Sequence, residues 1–166
     1  MPDISRLLIV YHTRTGGTRQ MVEAAEAGIA REPAVALRTC QAAAAGAADL
    51  LSADGYLFAC PENLAAISGA MKEFFDRSYY PVLGRIEGRP YAMLICAGSD
   101  GSNAARQIER IATGLRLKAI APALIVCTNA QSPERIAATK TIGASDLERC
   151  RELGQTLATG LAMGIY

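Results

Sequence analysis

Apolar positions along the chain alternate between two patterns. Residues 7–11 (Leu-Leu-Ile-Val-Tyr) form a continuous β-prone run, and further β-like runs occupy 35–39, 54–60, 91–97 and 119–127. Between them apolar residues recur at helical spacing. Met21, Val22, Ala25 and Ile29 do so within 17–31. Ile67, Met71, Phe74, Phe75 and Ser78 mark one face of a helix over 67–80, with Pro81 just past its end. Ile108, Ile111, Ala112 and Leu115 make another stripe, and Leu147, Cys150, Leu157 and Leu161 line a last helix. Residues 41–51 read as a short helix or crossover. Pro122 inside the fifth β-like run predicts an edge strand, because proline cannot donate to a ladder. Segment 128–144 shows one signal, a helix start with Ser132 as cap and Pro133 at the first helical position.

Strand–helix alternation implies an α/β chain with a parallel sheet covered on both faces. Strands that are apolar throughout agree with burial on both sides. Five strands and the helices between them fill the 166 residues, which predicts a single domain over 1–166.

In such a sheet a ligand lies beyond the carboxyl ends of the strands. The loop after the first strand is His12-Thr13-Arg14-Thr15-Gly16-Gly17-Thr18, and it opens a helix. Helix N-termini carry unpaired N–H groups and a partial positive charge, and glycines let backbone wrap an anion. A capped helix start would need one hydroxyl, with Thr18 as the cap. Here there are three threonines and a glycine pair, which points to phosphate. Neither a Walker loop nor a Gly-x-Gly-x-x-Gly fingerprint is present. The third strand ends in Cys60-Pro61-Glu62-Asn63-Leu64, and the fourth in Ala97-Gly98-Ser99-Asp100-Gly101-Ser102-Asn103. Taken singly these read as turns capped by Asn63 or Ser102. Taken with the first loop, they form one cleft.

Composition narrows the classes. Seventeen basic and sixteen acidic residues leave a net charge of +1, which gives no electrostatic reason for nucleic acid or a membrane surface. No apolar run approaches the ~18 residues of a membrane span, and no leader-like stretch opens the chain, so the cytoplasm is expected. Five widely spaced cysteines without a Cys-x-x-Cys pair, and one histidine, assemble no zinc signature. They read as free thiols, small core residues or, less simply, a redox thiol. Gly98 to Gly101 falls short of a nucleophile elbow, and the sole histidine, His12, precedes rather than follows Ser99. No cysteine is followed six positions on by arginine, which argues against a cysteine phosphatase.

With these residues in place the chain resembles a known family. The run 9–18 looks like the FMN-phosphate loop of flavodoxin-like proteins. Pro61-Glu62-Asn63, then Ser68-Gly69-Ala70-Met71-Lys72 and Phe74-Phe75-Asp76-Arg77, looks like the second flavin loop and helix of NAD(P)H-dependent FMN reductases and related quinone reductases. Residues 97–101 stand where that family places its third flavin loop. The resemblance implies a flavodoxin-like three-layer sandwich with a five-stranded parallel sheet of order 2-1-3-4-5. It implies non-covalently bound FMN, with NAD(P)H as co-substrate and a small-molecule electron acceptor, a quinone or flavin. Thr13, Arg14, Thr15, Gly16, Gly17 and Thr18 would then hold the phosphate. Pro61, Glu62, Asn63 and Leu64 would border the isoalloxazine, and Ala97, Gly98, Ser99, Asp100 and Gly101 its pyrimidine edge.

The chain has no Trp, no aromatic in either later loop, and little net charge. All three depart from acidic, aromatic-stacked electron carriers and favour the reductase branch. A one-electron carrier and a non-enzymatic binding module are the alternatives. Arg14 either neutralises the phosphate or points to solvent, and Glu62 is either a proton donor or a cap. Phe74, Phe75, Tyr79 and Tyr80 exceed one buried stripe, which leaves core packing or a homo-oligomer contact.

Overall fold

The structure is a computed structural model describing residues 4–166. Five of its strands are β1 (Ser5–Tyr11), β2 (Val35–Gln41), β3 (Gly55–Asn63), β4 (Ala66–Ile67) and β5 (Pro90–Ala97). Two more, β6 (Lys118–Ala119) and β7 (Leu124–Cys127), pair in parallel with different ends of β5. The parallel sheet runs β2-β1-β3-β5, with β6 and β7 sharing the last edge. This is the predicted order, with one correction. The fifth strand is broken, because residues 121–123 leave the ladder around Pro122.

Four helices connect the strands, α1 (Gly17–Ile29), α2 (Ala47–Ser52), α3 (Gly69–Val82) and α4 (Ser102–Gly114), and two more, α5 (Pro133–Ala137) and α6 (Ala144–Met163), follow β7. Alternate side chains of a strand face opposite sides. Leu7 and Ile9 of β1 accordingly pack with Met21, Val22 and Ala25 of α1 and with Leu157 and Ala158 of α6. Leu8 and Val10 pack on the other face with Leu50 of α2, Phe74 and Phe75 of α3 and Ile108 of α4. The three layers follow directly. Aromatic packing concentrates on the second face, where Phe58 meets the rings of Tyr56, Phe74, Phe75 and Tyr91 at centroid distances of 5.1 to 6.5 Å. Phe74 and Phe75 are thus core residues, whereas Tyr80 is 78% exposed.

Pro81 lies inside the last turn of α3 instead of beyond it. Its fixed φ suits a helix, and only Val82 follows it before the helix stops. Segment 41–51 resolves into the end of β2 and α2. Ser132 caps α5 as the sequence predicts, its Oγ accepting from Arg135 N at 3.3 Å. None of the helices is long and apolar enough to cross a membrane, and no three His, Cys, Asp or Glu of the described residues form a metal-binding group.

Candidate functional site

β1, β3 and β5 run parallel, with Tyr11 level with Ala59 and Pro61 level with Cys96. Their carboxyl ends therefore deliver the three predicted loops to one edge of the sheet. Side-chain bonds then tie these loops together.

The first loop enters α1 through Gly16, whose φ of +88° is one that glycine adopts without strain. Thr18 is not the cap. It lies within the first turn of α1, is 1% exposed, and its Oγ1 has no hydrogen-bond partner. Thr13 serves the turn instead, its Oγ1 accepting from Gly16 N at 3.2 Å and Arg19 N at 3.4 Å. Gly17 is tightly enclosed, since a Cβ there would come within 2.7 Å of Cys96 Sγ. Arg14 is exposed. His12 Nδ1 lies 3.0 Å from Ser68 Oγ, which joins the first loop to the start of α3. Burial, then the charge of Arg14, lowers the His12 pKa below its ordinary value and favours the neutral ring.

The second loop differs from the expectation. Pro61, Glu62 and Asn63 continue β3, and Glu62 and Asn63 pair antiparallel with Ile67 and Ala66. The turn is Leu64-Ala65 alone, with φ of +51° and +59°. Such values suit a two-residue hairpin of the type that usually uses Asn and Gly. Two α4 side chains hold the hairpin: Asn103 donates to Ala65 O at 2.5 Å, and Gln107 accepts from Ile67 N at 2.8 Å. Leu64 stands fully exposed at the tip. Asn63 is a ladder residue and caps no helix.

Glu62 joins the second and third loops. Its Oε1 accepts from Gly101 N at 3.0 Å and its Oε2 from Ala104 N at 3.2 Å. The carboxylate therefore caps the N-terminus of α4, where the unpaired amides and the helix dipole favour an anion. Of the two readings of Glu62, this geometry is that of a cap. In the third loop, Gly101 turns at φ +84° against Ile125, and Asp100 accepts from Ser102 N and Oγ at 3.2 and 2.9 Å. Ser102 begins the helix and Asp100, not Ser102, satisfies it. Ala97 is buried at the end of β5, Gly98 is half-buried, and Ser99 is exposed.

A fourth segment reaches this edge unannounced. Lys140 N donates to Thr15 O at 2.9 Å, and the Lys140 ammonium lies 3.3 Å from Thr15 Oγ1. Gln20 fastens the segment, donating to Gly16 O at 3.0 Å and Lys140 O at 2.7 Å while accepting from Ile142 N at 3.0 Å. No local pattern marks this contact, because it spans 125 residues of sequence.

All five cysteines are free. Burial pushes the thiols of Cys60 and Cys96 up to about 11 and that of Cys150 up to about 12. These three therefore stay protonated near neutrality and serve as core residues.

Comparison with known proteins adds a family and a fold. The family described as NADPH-dependent FMN reductase matches residues 13–131. A flavodoxin of Aquifex aeolicus (strain VF5) is 32% identical over 97 residues, covering 58% of this chain and 50% of that protein. The chain thus spans about half the length of this curated relative. Among solved structures, a flavodoxin from the domain Archaea superposes with a TM-score of 0.74 at 18% identity, covering 94% of this chain and 98% of the other. A flavodoxin described as WrbA-like, from Agrobacterium tumefaciens, does so with a TM-score of 0.74 at 20% identity, covering 96% and 98%. At those identities the likeness is one of fold.

Proposed function

The chain belongs to the NADPH-dependent FMN reductase family, and from that premise we propose that it binds FMN non-covalently and passes two electrons from NAD(P)H to a small acceptor, a quinone or free flavin. One observation supports this reading above the others: the Thr18 hydroxyl is buried at the start of α1 with no partner. A buried orphan hydroxyl costs free energy, and a side-chain rotation that brought it to a phosphate oxygen at the helix N-terminus would remove that cost. The neighbouring hydroxyls suit the same ligand. Thr13 and Thr15 each accept hydrogen bonds within the protein, which leaves both O–H protons free to donate. The residues present therefore fit a phosphate ester.

In this reading Thr13, Thr15 and Thr18, with the amides of Gly17 and Thr18, hold the phosphate; Gly16, whose amide is taken by Thr13 Oγ1, shapes the turn around it, and the exposed Arg14 adds charge from outside. The hairpin 61–65 borders the flavin ring, with Leu64 as an apolar edge and Asn63 and Pro61 behind it. Residues 97–101 face the pyrimidine side. Because Glu62 already engages the Gly101 amide, the donors of that loop are the amides of Gly98, Ser99 and Asp100. Glu62 fixes the spacing of the two loops and moves no proton.

Bound flavin supplies the redox chemistry, and the fold supplies position and surroundings. The balance is NAD(P)H + H⁺ + quinone → NAD(P)⁺ + quinol. With no aromatic on the hairpin, the ring face beside Leu64 stays open for nicotinamide and acceptor in turn. Purified protein loaded with FMN should consume NADPH steadily with a quinone present. No turnover with quinone or free flavin would remove the enzymatic reading.

A further inference from the structure

Lys140 is a half-buried cation without an anion. Its ammonium contacts Thr15 Oγ1 at 3.3 Å, Ile136 O at 2.8 Å and Ala138 O at 2.6 Å. None of the ion pairs among the described residues includes it. The backbone holds the segment against the loop independently of that ammonium, through Lys140 N on Thr15 O and through Gln20 on Gly16, Lys140 and Ile142. The side chain is therefore not needed to dock the segment. Its three protons are held by neutral oxygens and its charge is unpaired, so an anion beside Thr15 would be attracted to it.

The geometry also sets the direction of the Thr15 hydroxyl. An ammonium has only protons to give, so Thr15 Oγ1 accepts from it and turns its own proton elsewhere. A hydroxyl aligned in this way is a donor for a ligand oxygen.

We propose that Lys140 adds to this site's preference for FMN over riboflavin: it orients Thr15 as a donor to the phosphate and places a positive charge behind that hydroxyl, where it favours the doubly charged ester. The proposal rests on the FMN reading above. It adds a phosphate-reading residue that lies outside the loop 13–18 and is delivered by the connection between α5 and α6. With its three protons on Thr15 Oγ1, Ile136 O and Ala138 O, Lys140 acts through Thr15 and the field of its charge, and is a positioning residue.

The test compares FMN and riboflavin dissociation constants for the wild type, Lys140→Met and Lys140→Arg by quenching of flavin fluorescence at low and high salt. Apo melting temperatures are measured alongside. Lys140→Met should weaken FMN roughly tenfold, the scale of one well-aligned hydrogen bond lost at Thr15, and leave riboflavin unchanged. Its FMN affinity should also depend less on salt than that of the wild type. Lys140→Arg should keep most of the preference. Should the methionine variant fold poorly, Lys140→Gln gives the same comparison. If Lys140→Met binds FMN as the wild type does, the inference is wrong and the FMN reading stands. If it weakens FMN and riboflavin by one common factor while lowering the melting temperature, Lys140 is only the cap of α5 and the inference is equally wrong. Wild-type protein that takes up no FMN would overturn both.

Discussion

Glu62→Gln separates a structural carboxylate from a catalytic one. Two backbone donors, Gly101 N and Ala104 N, face the two oxygens of Glu62 at 3.0 and 3.2 Å. Glutamine has nearly the same shape but offers one acceptor and one NH₂, so one of those amides must then face another N–H. The loss is one charge-assisted bond, about 1.5–3 kcal/mol when complete, together with a favourable charge at a helix N-terminus, about 0.3–1 kcal/mol. Glu62 is only half-buried, and water recovers part of this. A destabilisation of about 2 kcal/mol remains. For a chain of this length that lowers the melting temperature by roughly 4–8 °C. Thermal and urea unfolding of apo-protein measure it. Turnover per folded, FMN-loaded molecule should fall only modestly. An apo stability equal to wild type, combined with abolished turnover, would refute the cap and make Glu62 a proton donor.

Thr18→Val should stabilise the apo-protein by about 1 kcal/mol, because it removes a buried hydroxyl with no partner, while it weakens FMN; unfolding with and without FMN reads both effects. Gly28→Ala should destabilise by about 3 kcal/mol in urea titration, since a Cβ at Gly28 meets the Arg151 carbonyl where α1 and α6 are in backbone contact. His12 has a depressed pKa in the folded state, so the unfolded chain binds more protons below the ordinary value of 6.5. Stability should therefore rise with pH through that region and fall as the medium is acidified below it. Stability measured from pH 5 to pH 8 in the wild type and His12→Asn should show this slope flattened in the variant.

Much of the fold is legible because its signals are local. The apolar run 7–11 and the stripe Met21, Val22, Ala25 and Ile29 each state their own conformation, and both faces of β1 are buried as a continuous run requires. The hairpin after β3 was not legible, because its turn is Leu64-Ala65 and lacks the Asn or Gly that normally announces positive φ. Its conformation is imposed from outside by Asn103 and Gln107 of α4. Thr18 reads as a cap in the sequence because cap residues are recognised by type and position. Only the packing shows that Thr13 does that work and that Thr18 is left buried and unpartnered. Lys140 gives no sequence signal at all. Its neighbour is Thr15, and nothing local to residues 138–142 shows that Gln20 draws them onto the loop.

The account turns on residues 13–18 gripping a phosphate ester. Titration of FMN into apo-protein, followed by flavin fluorescence, tests that grip in the wild type and in the double variant Thr15→Val, Thr18→Val, which preserves shape and removes two donors. The expected result is one FMN per wild-type chain and roughly a hundredfold weaker uptake by the variant, two charge-assisted bonds being lost, with apo folding intact. Equal FMN affinity in the two proteins would contradict it, because the ester would then be held somewhere other than at the start of α1.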